Sequence, residues 1–190
     1  MKIKLLYENS NAGRTILDST LHPEIKRALL DLSSSTSSSL RDEKPIIIGG
    51  LAVSFWSRPR MTMDIDVLVN SVPNKFDWPG FRKNRPHSME HKTTGVEVET
   101  LTKEYIGLDH DLVQLIRETA VESDGLLVAS AEGIIALKTN RWSRQDQADV
   151  EALIRAGVTI RTYEHFIPHT FKHKDQLLIM FEELTEGDKK

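Results

Sequence analysis

The sequence predicts an α+β fold: a short mixed sheet, helices packed behind it and a helical C-terminal part. Three observations predict it. Ile46, Ile47 and Ile48 form a continuous β-branched run, the pattern of a strand buried on both faces. Met63 to Val69 alternates apolar and polar residues with the period of a strand. The last third of the chain carries helical spacing and capping residues instead.

In chain order, Lys2 to Tyr7 is expected as a short strand, Asn9 to Gly13 as a turn, and Arg14 to Leu17 as a second short strand. Pro23 is a favourable first-turn residue for a helix over Glu24 to Leu32, whose Ile25, Ala28, Leu29 and Leu32 recur at helical spacing. Ser33 to Ser39 is almost entirely serine and is expected as a flexible loop. Gly49-Gly50 ends the isoleucine strand, and a short helix is expected over Leu51 to Ser57 until Arg58-Pro59-Arg60 breaks it. Asn70 to Asn84 is expected as an irregular excursion. Strands follow near His87 to His91 and Val96 to Leu101, turning at Thr93-Thr94-Gly95, and then a helix over Leu108 to Ile116. Asp124-Gly125 signals a hairpin with arms Glu118 to Glu122 and Leu126 to Ala129. Ser130 can cap a helix over Ala131 to Asn140. Ser143-x-x-Asp146 has the form of a capping box for a helix ending near Ala156, where Gly157 suits the position after the cap. Lys174 to Leu184 is expected as a final amphipathic helix, with Gly187 to Lys190 as a tail.

The chain has 190 residues, enough for one domain that buries roughly two-thirds of its unfolded surface. A single domain over 1–190 is expected, with its motif-bearing core at 45–155 and a helical extension at 157–186. The chain has no cysteine, which excludes disulfides and thiolate metal sites and fits a reducing cytoplasm. The charged start, Met1 to Glu8, has no signal-peptide character, and no apolar run reaches the ~18 residues of a membrane span. The net charge of −3 argues against a surface coated in basic charge for nucleic acid, although a local basic pocket remains compatible.

The chemistry concentrates between Ile46 and Val69. Strand alternation turns Ile65, Val67 and Val69 one way and Asp64 with Asp66 the other. Aspartate is disfavoured in strands, and two like charges on one face repel. A solvated acidic face would tolerate the pair. A magnesium ion would offset it, since Mg²⁺ binds one or two carboxylates together with substrate phosphates. Gly49-Gly50 stands at a strand-to-helix junction, either as an ordinary tight turn or as a place where a phosphate closely approaches free backbone N–H groups. Thr62 can orient a carboxylate, touch phosphate or simply favour the strand start. Arg60 can meet phosphate or pair with an acidic neighbour. The basic stretch Arg82 to His87 can track an RNA acceptor or be a solvated loop. Trp56, Trp78 and Trp142 are expected in the core or a groove, with Trp142 the one placed to meet a base. The seven histidines offer no readable zinc site.

A hydrophobic strand, Gly-Gly, about a dozen residues and then Asp-x-Asp among apolar residues resembles the nucleotidyltransferase superfamily. Here thirteen residues separate Gly50 from Asp64. The form Arg60-x-Thr62-x-Asp64-Ile65-Asp66 resembles the branch that includes the AbiE-type toxin nucleotidyltransferases. Gly95-Val96-Glu97-Val98-Glu99-Thr100-Leu101 resembles the family's Gly-x-x-Val-Asp-Leu-Leu pattern. It places Glu99 at the third carboxylate, with glutamate for the commoner aspartate and Glu97 on the same face. Arg144 to Asp149 resembles the arginine-and-paired-aspartate segment that follows a helical lysine in related sequences.

The resemblance implies the nucleotidyltransferase fold and a metal-dependent enzyme. Asp64, Asp66 and Glu99 would be both catalytic and metal ligands, with Mg²⁺ or Mn²⁺ as the ion. Gly49, Gly50, Arg60, Thr62, Lys138 and Arg141 would bind the nucleotide, and Asp146 and Asp149 would tie helices together. A nucleoside monophosphate would pass from a nucleoside triphosphate (NTP) to an acceptor: tRNA or other RNA, protein or a small molecule. An antitoxin or regulator protein would be a partner if the chain belongs to a toxin–antitoxin pair. The other reading is a catalytically inactive nucleotide-binding or interaction module on the same fold.

Overall fold

A computed structural model of the chain describes residues 15–20, 22–59, 61–74, 77–170 and 172–187. The strand expected at Lys2 to Tyr7, the turn after it, and residues 188–190 lie outside the described residues. Of the second N-terminal strand, Thr15 to Leu17 are described. They form no strand but lead into a single 3₁₀ turn over Leu17–Ser19.

Helix α1, Pro23–Thr36, turns Ile25, Ala28, Leu29 and Leu32 into the core. It runs four residues beyond its apolar pattern, into the stretch expected as a loop. Ser34 Oγ, Ser35 Oγ and Thr36 Oγ1 donate back to the carbonyls of Leu30, Asp31 and Leu32 at 2.9, 2.7 and 3.0 Å. Ser33 Oγ donates to the Asp124 carbonyl at 2.7 Å. Hydroxyls that usually compete with a helix are thus absorbed by it and by a distant turn.

Strand β1, Ile46–Ile47, is followed directly by α2, Gly49–Trp56, and then by β2, Asp64–Leu68. Strands β3, Phe81–Arg85, β4, Ser88–His91, and β5, Glu97–Leu101, complete one half of the sheet. The excursion expected through Asn84 therefore ends at Phe81. That ring is buried against Trp78 and His91, with centroids 5.8 and 5.0 Å away, and this packing fixes a strand whose other residues are polar. A one-turn helix, α3, Lys103–Ile106, and α4, His110–Thr119, come next. Helix α4 takes Glu118 and Thr119 from the expected hairpin, whose arms are β6, Val121–Ser123, and β7, Leu126–Val128.

The helical third holds α5, Ala131–Arg141, α6, Arg144–Arg155, α7, Ile160–Tyr163, a 3₁₀ segment over Glu164–His169, and α8, Lys174–Gly187. Ser130 caps α5, and Ser143 with Asp146 forms the expected capping box of α6. The final helix continues to Gly187, the expected start of the tail. Neither α3 nor the turns between Ile160 and His169 carry a signal in the sequence motifs.

The architecture is α+β with a mixed seven-stranded sheet in the order β3-β4-β5-β2-β1-β7-β6. β2 with β5 and β1 with β7 pair in parallel, and the other neighbours are antiparallel. One sheet face carries Ile65, Val67, Val98 and Met89, all fully buried. On that face His91, also fully buried, bonds Asp31 of α1 at 2.9 Å through Nε2 and Thr94 at 2.7 Å through Nδ1. No helix among the described residues is long and apolar enough to cross a membrane.

Candidate active site

The parallel register of β2 and β5 sets Asp64 opposite Glu97 and Asp66 opposite Glu99. With Ile65 and Val98 in the core, alternation puts all four carboxylates on the opposite face. They are not equivalent. Asp64, at the exposed start of β2, accepts a hydrogen bond from Thr62 Oγ1 at 2.9 Å, so Thr62 orients a carboxylate. Glu97 is committed sideways, accepting from Ser88 Oγ at 2.6 Å and pairing with Arg85 at 3.1 Å. Glu99 instead hydrogen-bonds Asp66 and lines a cleft with it.

Gly49 holds the other side of Asp66. Its φ of +62° lies in the left-handed region, and a Cβ there would fall 2.7 Å from Asp66 Cγ and 2.9 Å from Asp66 Cβ. Ile48 N–H donates to the Asp66 carbonyl at 2.9 Å, which locks the junction to β2. Gly50 lies buried in the first turn of α2 and does not line the cleft. Arg60 lies outside the described residues.

Burial pushes the Asp66 carboxyl up to about 7. The charges of Asp64 and Glu99 and the hydrogen bond with Glu99 act in the same direction, and Lys138 opposes them. Lys138 extends from α5 and is itself held by α6, 3.2 Å from Asp146 Oδ1 and 2.6 Å from Asp149 Oδ2. Arg141 grips Asp146 with two bonds of 2.7 and 2.9 Å. Burial alone would raise the Asp146 carboxyl. Hydrogen bonds from Arg141 and Ser143 and the charge of Lys138 outweigh it and hold the group well below the ordinary carboxylate range. Asp146 and Asp149 therefore do tie α5 to α6. The Arg141 side chain remains 73% exposed, so its guanidinium keeps a solvent-facing side beside the cleft.

The cleft measures about 370 Å³. Gly49, Asp66, Glu99, Lys138 and Arg141 line it together with the apolar Leu101, Ile106, Leu108, Ile134 and Leu137. A larger hollow, about 690 Å³, lies between the end of α2 and α6. It contains none of the carboxylates of the sheet, so size does not single out the chemistry.

Among the described residues no three His, Asp or Glu side chains stand as a finished metal cage. The donor chemistry still fits a hard divalent cation. Asp66 and Glu99 crowd together in a half-buried position, with Asp64 adding charge; burial and these neighbours push Asp66 up, and a cation would offset that crowding. Two or three carboxylates and an open side suit an ion that completes its shell with phosphate and water.

The other expectations divide. Trp56 and Trp78 are core residues, the Trp56 indole donating to the Ala129 carbonyl at 2.7 Å. Trp142 stacks on His173 at 5.8 Å between centroids. In the basic stretch, Arg82 pairs with Glu90 and Arg85 with Glu97, while His87 stacks on Tyr105 at 3.9 Å. Sequence reasoning missed Asn140 and the apolar wall from Leu101 to Leu108. The apolar spacing of that segment was its only signal, and a lone asparagine gave none.

No protein-family model matches this chain, and no curated protein matches it.

Proposed function

We propose that this chain is a metal-dependent nucleotidyltransferase with the fold of the superfamily it resembles. It transfers a nucleoside monophosphate from an NTP to an RNA, protein or small-molecule acceptor and releases pyrophosphate. The observation that carries this reading is the in-register pair Asp66 and Glu99, with Asp64 one position along and the Gly49 backbone closed against Asp66.

Asp64, Asp66 and Glu99 would hold Mg²⁺ or Mn²⁺. When bound, the ion supplies charge neutralisation for the phosphates and acidifies an acceptor hydroxyl. Arg141 offers its open guanidinium side to the triphosphate, and Lys138, fixed by Asp146 and Asp149, supplies a rigid positive charge behind it. The acceptor oxygen attacks the α-phosphorus, the bond to the bridging oxygen of the β-phosphate breaks, and Glu99 receives the hydroxyl proton. The resemblance to toxin nucleotidyltransferases extends the proposal to a cytoplasmic toxin–antitoxin component with a regulator protein as partner.

The test is label transfer from each of the four α-labelled NTPs to total RNA and cell extract, with Asp64→Ala/Asp66→Ala alongside. Label on a discrete band is expected with the wild type, reduced at least about 100-fold in the variant. Equal transfer by both proteins overturns the assignment. Absence of transfer together with metal-dependent NTP binding selects the inactive module, a reading favoured by the glutamate at position 99.

A further inference from the structure

We infer that Asn140 reads the edge of the bound base and selects bases with an exocyclic amine over their keto counterparts. This rests on the nucleotide reading of the same cleft.

The cleft offers charged and apolar lining to the two parts of a nucleotide. Phosphates belong with Lys138 and Arg141 beside the carboxylates, which leaves the aliphatic wall of Leu101, Ile106, Leu108, Ile134 and Leu137 to cover the faces of a base. Lys138, Asn140 and Arg141 follow one another on α5, so a single helix presents cations and a neutral amide to the same cleft. Asn140 is the one uncharged polar side chain among its lining residues.

The orientation of that amide is set by its neighbours. Asn140 Nδ2 donates to the Ile106 carbonyl at 3.4 Å, and among the described residues nothing donates to its Oδ1. Turning the amide over would press Oδ1 against the Ile106 carbonyl, acceptor against acceptor. Asn140 and Leu108 also border a separate hollow of about 30 Å³, room for about one water. Asp109 lines that hollow, and its buried Oδ2 has no hydrogen-bond partner. A water in that hollow would donate to Asp109 and accept from the second N–H of Asn140, again leaving Oδ1 as the free group.

An oxygen acceptor at the base edge accepts from the amine of adenine or cytosine. Uracil and hypoxanthine place a carbonyl at the corresponding position, and two oxygens facing each other lose the bond and repel. Base size is not what this contact senses; the amine-for-carbonyl exchange is.

The experiment is calorimetry of the full chain with Mg²⁺ and four ligands in two matched pairs: CTP against UTP, and ATP against inosine triphosphate. The wild type binds the amine member about tenfold more tightly in each pair. In Asn140→Ala both ratios fall to about one while binding still requires Mg²⁺. Asn140 gives the fold a single long hydrogen bond, so the variant keeps its melting temperature within about 2 °C. Equal affinities within each pair in the wild type overturn the inference and leave the nucleotide site standing. A preference that survives in Asn140→Ala overturns it too, assigning selection elsewhere. Binding of none of the four ligands removes the nucleotide reading itself.

Discussion

Gly49 and Asp66 constrain one another. The positive φ of Gly49 and the carboxylate packed where its Cβ would project make alanine doubly unfavourable there. Gly49→Ala is expected to cost about 2 kcal/mol in denaturant unfolding and to abolish metal-dependent nucleotide binding, because Asp66 must move to admit a methyl group. A variant with unaltered stability and binding would remove Gly49 from the site. Asp66 makes a second, pH-linked prediction. Burial and the neighbouring carboxylates push its carboxyl up to about 7 from an ordinary value of 3.8. The folded state therefore holds a proton that the unfolded state releases first. That contribution to stability is complete below about pH 4 and is lost as pH rises to about 7. Asp66→Asn should gain nothing over the wild type at pH 3.5, gain progressively above it, and level off near pH 8 at on the order of 2 kcal/mol. Thermal melts across that range check the curve, and a gain independent of pH would mean that the strain is not electrostatic. The paired aspartates were legible in the sequence because strand alternation alone puts them together. The resemblance set Glu99 apart from Glu97; the physical reason, the bonds of Glu97 to Ser88 and Arg85, was not legible because those residues lie on strands that no motif links to β5.

At the scale of elements, α5 and α6 act as one unit joined through Asp146. That side chain closes the capping box of α6, accepts two bonds from Arg141 and pairs with Lys138, all while almost fully buried. Removing it leaves a buried lysine with Asp149 as its remaining carboxylate and a helix that keeps only the Ser143 half of its capping box. Asp146→Ala should cost about 3 kcal/mol in chemical denaturation. Its effect on nucleotide binding should follow the displacement of Lys138. A cost below about 1 kcal/mol would show that the two helices are held by their apolar faces alone. The capping box was readable at Ser143 and Asp146. The resemblance implied a helix-tying role for Asp146 and Asp149 and a phosphate role for Lys138; that the lysine itself pairs with both aspartates was not foreseen, since helical spacing cannot say that residues on two helices meet. The serine run after Leu32 misled for a related reason. Local composition favours a loop, whereas the helix is completed by back-bonded hydroxyls, by Thr36 buried in the core and by the Asp124 carbonyl 91 residues away. Strand β3 was hidden by its polar residues, and a single buried phenylalanine holds it in place.

Across the whole molecule, the sheet order converts separated segments into one cleft. β2 lies between β1 and β5, so the Gly49 junction and Glu99 flank Asp66 from opposite sides. Helices α3 and α5 then add apolar lining from residues some thirty positions apart in the chain. The α+β class and the acidic face follow from periodicities within single strands. The cleft does not, because its walls come from elements whose mutual placement depends on the parallel pairing of strands distant in sequence. The central claim is that this convergence creates a site where carboxylates and a cation together admit a triphosphate. Calorimetric titration of ATP and CTP, with and without Mg²⁺, into the wild type and Asp64→Ala/Asp66→Ala tests it most directly. Binding is expected with the wild type only when Mg²⁺ is present, and none with the variant under either condition. Equal binding without the metal, or by the variant, would contradict it.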